Sequence, residues 1–161
     1  MLIGYIKSLN REMIHMIGQM NFATAIAPLD NPIMAEFVEN LHKINSIAEA
    51  SDGFIWRLMD ESGNATAIDV MTDPKSVLNV SVWRSVPDLY RFAYQSDHLH
   101  FIKNRAKWFV PTSRRAMALW VIEDGAPMPT VAEAFARLAH LEAHGPSDFA
   151  FDWAGAKTFA P

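Results

Sequence analysis

The 161-residue chain contains no cysteine. That excludes disulfides, thiolate nucleophiles, zinc ribbons and iron–sulfur clusters, and it fits a reducing cytoplasm, the compartment expected here. Concentrated positive charge is also lacking. The formal net charge is −4 and the 14 Lys and Arg residues are scattered, whereas phosphate binding needs clustered cations. No nucleic-acid partner is expected. The opening stretch MLIGYIKSLNREMIHMIG is too short and too charged to span a bilayer. Glu12 and His15 also interrupt what would be a signal-peptide core. Residues 1–18 are read as an extension outside the fold, and no membrane span is expected. There is no phosphate loop, dinucleotide fingerprint or Gly-x-Ser-x-Gly elbow.

What is present is half hydrophobic, enough for one domain that buries on the order of 70% of its unfolded surface. QMNFATAIAP, residues 19–28, reads as a strand stopped by proline. Asp30 or Asn31 then caps a helix with Pro32 in its first turn. Ile33, Phe37, Leu41, Ile44 and Ala48 give that helix an apolar stripe, and Gly53 suits its left-handed end. FIWRLMD is a second strand, DESGN a turn and ATAIDVM a weaker strand or extended arm. In SVLNVSVW, residues 76–83, Leu78, Val80 and Val82 line one face, apolar enough to lie under helices. Val77, Asn79, Ser81 and Trp83 line the other, a mixture suited to a pocket wall.

Ser85 and Asp88 resemble a capping box with Pro87 inside the first turn. That helix runs to about Gln95, and another from Ser96 or Asp97 to about Val110. AMALWVIEDG is a further strand. Thr130 and Glu133 open a helix whose stripe is Val131, Phe135 and Leu138, and Gly145–Pro146 stop it. The domain is thus placed at 19–146, with an aromatic tail, 147–161, packing on the domain or a partner. This order predicts an α+β, ferredoxin-like antiparallel sheet with helices on one face. A second copy is the economical cover for the other face, so a homodimer is expected.

The stretch SDHLHFIKNRAKWF carries the sharpest site expectation. At about 100° per residue, His98 shares a face with Phe101, Ile102, Arg105 and Phe109, while His100 falls with Lys103, Asn104 and Lys107. Two residues apart, the histidines make a poor metal pair. A lone inward histidine is more often a core residue held by a backbone carbonyl than a catalyst. Arg105 on the same face tips the balance toward a pocket, because an arginine buried there needs an anion unless its head reaches water. Burial and the helix N-terminus both favour a neutral imidazole, which can act as base, donor or ligand. His140 and His144 are better read as a solvated face, and HLEAH misplaces the glutamate of the His-Glu-x-x-His zinc motif. No metal site is expected.

NVSVWRSVPDLYRFAYQSDHLHFIKNRAKWF, with NPIMAEFVENLHKINSIAEASDGFIWRL upstream and PTVAEAFARLAHLEAHGP downstream, resembles an uncharacterised bacterial domain-of-unknown-function family. That family belongs to the dimeric α+β barrel superfamily, beside the antibiotic-biosynthesis monooxygenases. The resemblance covers about residues 20–151. It implies a dimer with a pocket between sheet and helices for small, often aromatic molecules. Some relatives oxidise phenols with O₂ and no cofactor. Others bind and degrade haem with a strand asparagine, a tryptophan and a helix histidine. Asn21 matches the asparagine, but the histidine's place falls near Lys103 and the tryptophan's near Phe92 or Ala93. The expected function is therefore a cofactor-independent, monooxygenase-like enzyme on an aromatic or enolisable substrate. His98 would take a proton. Arg105, with Asn21 or Asn79, would hold the anion, and Trp56, Trp83, Tyr94, Ile102 and Trp108 would enclose it. Haem binding through His98 and a non-catalytic ligand-binding or oligomerisation module are the alternatives.

Overall fold

The computed structural model describes residues 15–59 and 73–161. The DESGN turn, the ATAIDVM arm and most of the N-terminal extension lie outside the described residues. β1 spans His15–Thr24, α1 Ala35–Ala50, β2 Phe54–Arg57, β3 Ser76–Trp83, α2 Val86–Gln95, α3 His98–Asn104, β4 Met117–Glu123, α4 Val131–His144 and α5 Ala156–Phe159. The strands form one antiparallel sheet in the order β2-β3-β1-β4. This is the ferredoxin-like α+β arrangement, with β1 at the centre although it comes first in the chain.

β1 begins four residues earlier than its sequence suggests. Met16 and Ile17 are 5% and 2% exposed, and both pair across the sheet, Ile17 to Trp83 on one side and Val121 on the other. A central strand is buried on both faces, so it reads as an unbroken apolar run rather than an alternation. That is why the stretch up to Gly18 reads as an extension and only Gln19 onward as a strand.

Because directly paired residues share a face, the register sorts the sheet into two sides. Met16, Met20, Val80, Val82, Ala118, Trp120 and Ile122 lie on one, packed with Val131, Ala134 and Leu141 of α4. Gly18 lies on this side too, and the Trp120 indole occupies the space a side chain there would fill. Ile17, Trp83 and Leu119 lie on the other side, packed with Ala48 of α1, Leu89 of α2 and Phe151 of the tail. Helices thus flank the sheet on both sides. The side expected to wait for a second copy carries α4, and Met20, Val82 and Trp120 there are 0% exposed within the single chain.

The local signals act as their chemistry dictates. The Asn31 side chain accepts from Ile33 N at 3.1 Å to start a short 3₁₀ turn, Pro32–Met34, ahead of α1. Within that turn Met34 is buried and Ile33 is exposed, the reverse of the expected stripe. The 3₁₀ geometry advances about 120° per residue and turns the neighbouring position inward. Ser85 caps α2 and Thr130 caps α4, each accepting from the backbone three residues on. Gly53 follows α1 at φ 81°, a conformation that favours glycine. The tail adds a single antiparallel bridge to β4, Leu119 and Phe151 exchanging two backbone hydrogen bonds of 2.8 Å.

Candidate functional site

Asn21 of β1 and Asn79 of β3 are directly paired, so their Cβ atoms sit about 5 Å apart on one face. It is the face that carries α1 and α2, and yet both side chains are exposed. Exposed residues on central strands under a helical layer mean that the layer parts there. Two carboxamides thus form a polar floor open to solvent there.

One pair further along, the floor is buried and remains polar. Gln19 is 4% exposed and Ser81 6%, and they are cross-strand partners. Trp83 Nε1 donates to Ser81 Oγ at 2.9 Å, and Ser81 Oγ donates to Gln19 Oε1 at 2.7 Å. The indole N–H can only donate, so the serine proton is left for the amide oxygen. Arg57 continues the row on β2. It is 7% exposed, and its Nε and Nη2 each lie 2.8 Å from Glu49 Oε1 of α1.

Trp83 also anchors an aromatic stack. Phe92 of α2 stacks on it at 5.0 Å, and His98 stacks on Phe92 at 4.7 Å. His98 Nδ1 lies 3.3 Å from the Ala93 carbonyl. A carbonyl only accepts, which places the imidazole proton on Nδ1 and leaves the lone pair on Nε2. Burial holds the His98 pKa below its ordinary 6.5, opposed by the Ala93 hydrogen bond, so the ring is neutral at pH 7, as its sequence position implied.

The other expected residues divide. Trp108 is 2% exposed and packs on Phe37 and Phe101 with Ala25 and Met34, while Ile102 is half-buried on α3. Arg105 does not join His98. α3 ends at Asn104 and the chain tightens into a 3₁₀ turn, Arg105–Lys107, so the α-helical angle assumed for residue 105 does not apply. Its side chain is exposed and forms no ion pair among the described residues. Trp56 pairs with Val82 and packs among the α4-side residues, on the opposite side of the sheet from Asn21, Asn79 and Trp83. A register shift between Phe54 and Trp56 breaks the simple alternation. Tyr94 faces away as well, its ring 4.8 Å from Tyr90 and 5.7 Å from Trp153 of the tail. Sequence reasoning missed Gln19, Arg57 and Phe92. The detectable signal was the polar residue two places before Asn21, on the same face of a strand.

Two of the hollows among the described residues lie elsewhere. One of about 310 Å³ is bounded by His15, Val121, Glu123, Asp148 and Phe159 through Pro161. The other, about 500 Å³, is bounded by Pro28, Leu29, Asp30 and Pro74. Neither is lined by His98 or the asparagines. His98 Nε2 keeps a lone pair, but neither hollow lies against it, and nothing there supports haem binding through His98. No cluster of three or more metal-ligating side chains occurs among the described residues, and no helix among them is long and apolar enough to cross a membrane.

Sheet and crossover helices define an α+β domain of the ferredoxin-like kind. The chain belongs to the family described as a domain of unknown function, DUF3291, whose model matches residues 16–160. It is similar in structure to a protein of unknown function from Nitrosomonas europaea, at 12% identity and TM-score 0.46 over 73% of this chain and 98% of that one. It is also similar to SnoaB, a cofactor-independent oxygenase from Streptomyces nogalater, at 15% identity and TM-score 0.44 over 71% and 98%. A Pseudomonas aeruginosa protein is similar at 17% identity and TM-score 0.45 over 71% and 99%. No curated protein matches the sequence.

Proposed function

We propose that this chain binds a small planar molecule bearing a phenol, enol or carbonyl oxygen. The binding place is the cleft over Asn21 and Asn79, and the chemistry is that of a cofactor-independent, monooxygenase-like enzyme. The observation that carries the reading is the exposure of both carboxamides on paired central strands beneath a helical layer. Each carboxamide offers two N–H donors, and hydrogen bonds to an ionised oxygen are about twice as strong as neutral ones. Such a floor therefore favours the anion of a bound phenol or enol. His98, neutral with a free Nε2 lone pair, is the base in this reading. An electron-rich anion can pass an electron to O₂ without a metal. Arg105, exposed and without an ion pair among the described residues, takes no part. A homodimer in the cytoplasm completes the proposal, with exposed Ile26, Ile33 and Val110 as its apolar contact surface.

The phenol 4-nitrophenol reports on the floor, because its anion absorbs visible light. The double variant Asn21→Ala, Asn79→Ala should lose about tenfold or more in affinity for that anion; equal affinity in a folded variant refutes the reading. His98→Ala should abolish protein-dependent oxygen uptake with 1-naphthol while binding persists. The exposure of Arg105 favours a second reading, a ligand carrier without turnover. Binding without oxygen uptake in the unaltered protein selects it.

A further inference from the structure

We infer that Gln19 is a third carboxamide of this site, one that positions a ligand oxygen at the inner end of the cleft; the inference rests on the proposed function above. Three observations converge on it. Gln19 is 4% exposed and lies two residues before Asn21 on the same strand face. That distance is about 7 Å along the strand. Its Oε1 is held by Ser81, which is itself held by Trp83 Nε1. The carboxamide therefore cannot turn over without breaking the Ser81–Gln19 bond and leaving the Ser81 proton without its acceptor.

That leaves Nε2. With Oε1 fixed, its two N–H groups donate to no group among the described residues. Gln19 Nε2 is not among the buried side-chain atoms left without a partner, so this end meets solvent, and the serine and tryptophan that aim the amide hold its donor end in a fixed place. The acceptor that suits it is an oxygen of the guest. A ligand spanning Gln19 and the Asn21–Asn79 pair needs one oxygen at each end of a planar body one or two fused rings long. Hydroxyaryl ketones and hydroquinone-like molecules meet that description. A monophenol reaches only one of the two positions.

The test uses the full chain labelled with ¹⁵N, and follows the side-chain amide signals of Gln19, Asn21 and Asn79 and the indole signal of Trp83. Two probes are added, 2-naphthol and 2,6-dihydroxynaphthalene. The expected result is that the two-oxygen probe shifts all three amide pairs, with the Trp83 N–H staying in place. Gln19→Met should weaken that probe about tenfold or more and leave 2-naphthol within about twofold. If Asn21 and Asn79 shift while Gln19 does not, and Gln19→Met binds both probes equally well, the inference fails and the cleft reading stands. If neither probe moves Asn21 or Asn79, the cleft reading fails and the inference with it. The unaltered protein alone decides between these outcomes should Gln19→Met not fold.

Discussion

Replacing Ser81 by alanine should cost more than the loss of one hydroxyl suggests, because Ser81 serves two buried partners at once. Trp83 is 0% exposed and Gln19 4%. Removing Oγ strands the indole N–H where no water reaches, a penalty of about 1–3 kcal/mol, and also forfeits the Ser81–Gln19 bond at about 1 kcal/mol. The sum, about 2–4 kcal/mol, lowers the melting temperature by about 4–16 °C for a chain of this size. A double-mutant cycle isolates the cause. Trp83→Phe keeps most of the ring stacked on Phe92 and deletes the stranded donor. In that background Ser81→Ala should cost only about 1 kcal/mol, a coupling of about 1–3 kcal/mol. Circular-dichroism melts of the four proteins measure it. Additive costs, or a Ser81→Ala penalty below about 0.5 kcal/mol, would show that the chain of hydrogen bonds does not hold Gln19 and would remove the basis for its aimed amide.

Gly53→Ala should destabilise by about 2–4 kcal/mol. Its φ is 81°, which costs a non-glycine residue about 1–2 kcal/mol, and a Cβ there would overlap the Asp88 carboxylate. That carboxylate is buried and bound by Arg84, Arg91 and Ser85. A urea titration checks the value, and a loss under about 1 kcal/mol contradicts the clash. His98 supplies a pH test. Its folded pKa lies below the unfolded value of about 6.5, so below that pH the unfolded state binds more protons and stability falls as the solution is acidified. His98→Gln should flatten the dependence as the pH falls below about 6.5, and an unchanged slope rules out the buried neutral ring.

Much of the fold was legible because local signals have local causes. Asn31, Ser85 and Thr130 each accept from a nearby backbone N–H, and Gly53 and Gly145 take up positive φ where helices end. None of these depends on distant chain. The second helical layer was not legible, since α4 shows the same amphipathic stripe whichever face it covers. The site was half legible. Asn79 and Trp83 could be placed on one face by strand alternation, and His98 by helical period. Arg105 could not, because a switch from α to 3₁₀ winding between Asn104 and Arg105 rotates everything beyond it. Trp56 failed for a related reason, an irregular register at Ile55. The pairing of Asn21 with Asn79 depends on two strands more than 50 residues apart, and no period within either one announces it.

The two backbone bonds between Leu119 and Phe151 bear on solubility. β4 ends the sheet, and a border strand with unsatisfied amides invites another chain to continue the ladder. Phe151 occupies that vacancy from within the same molecule. A protein cut after Pro146 would present an open template, and its first symptom would be self-association.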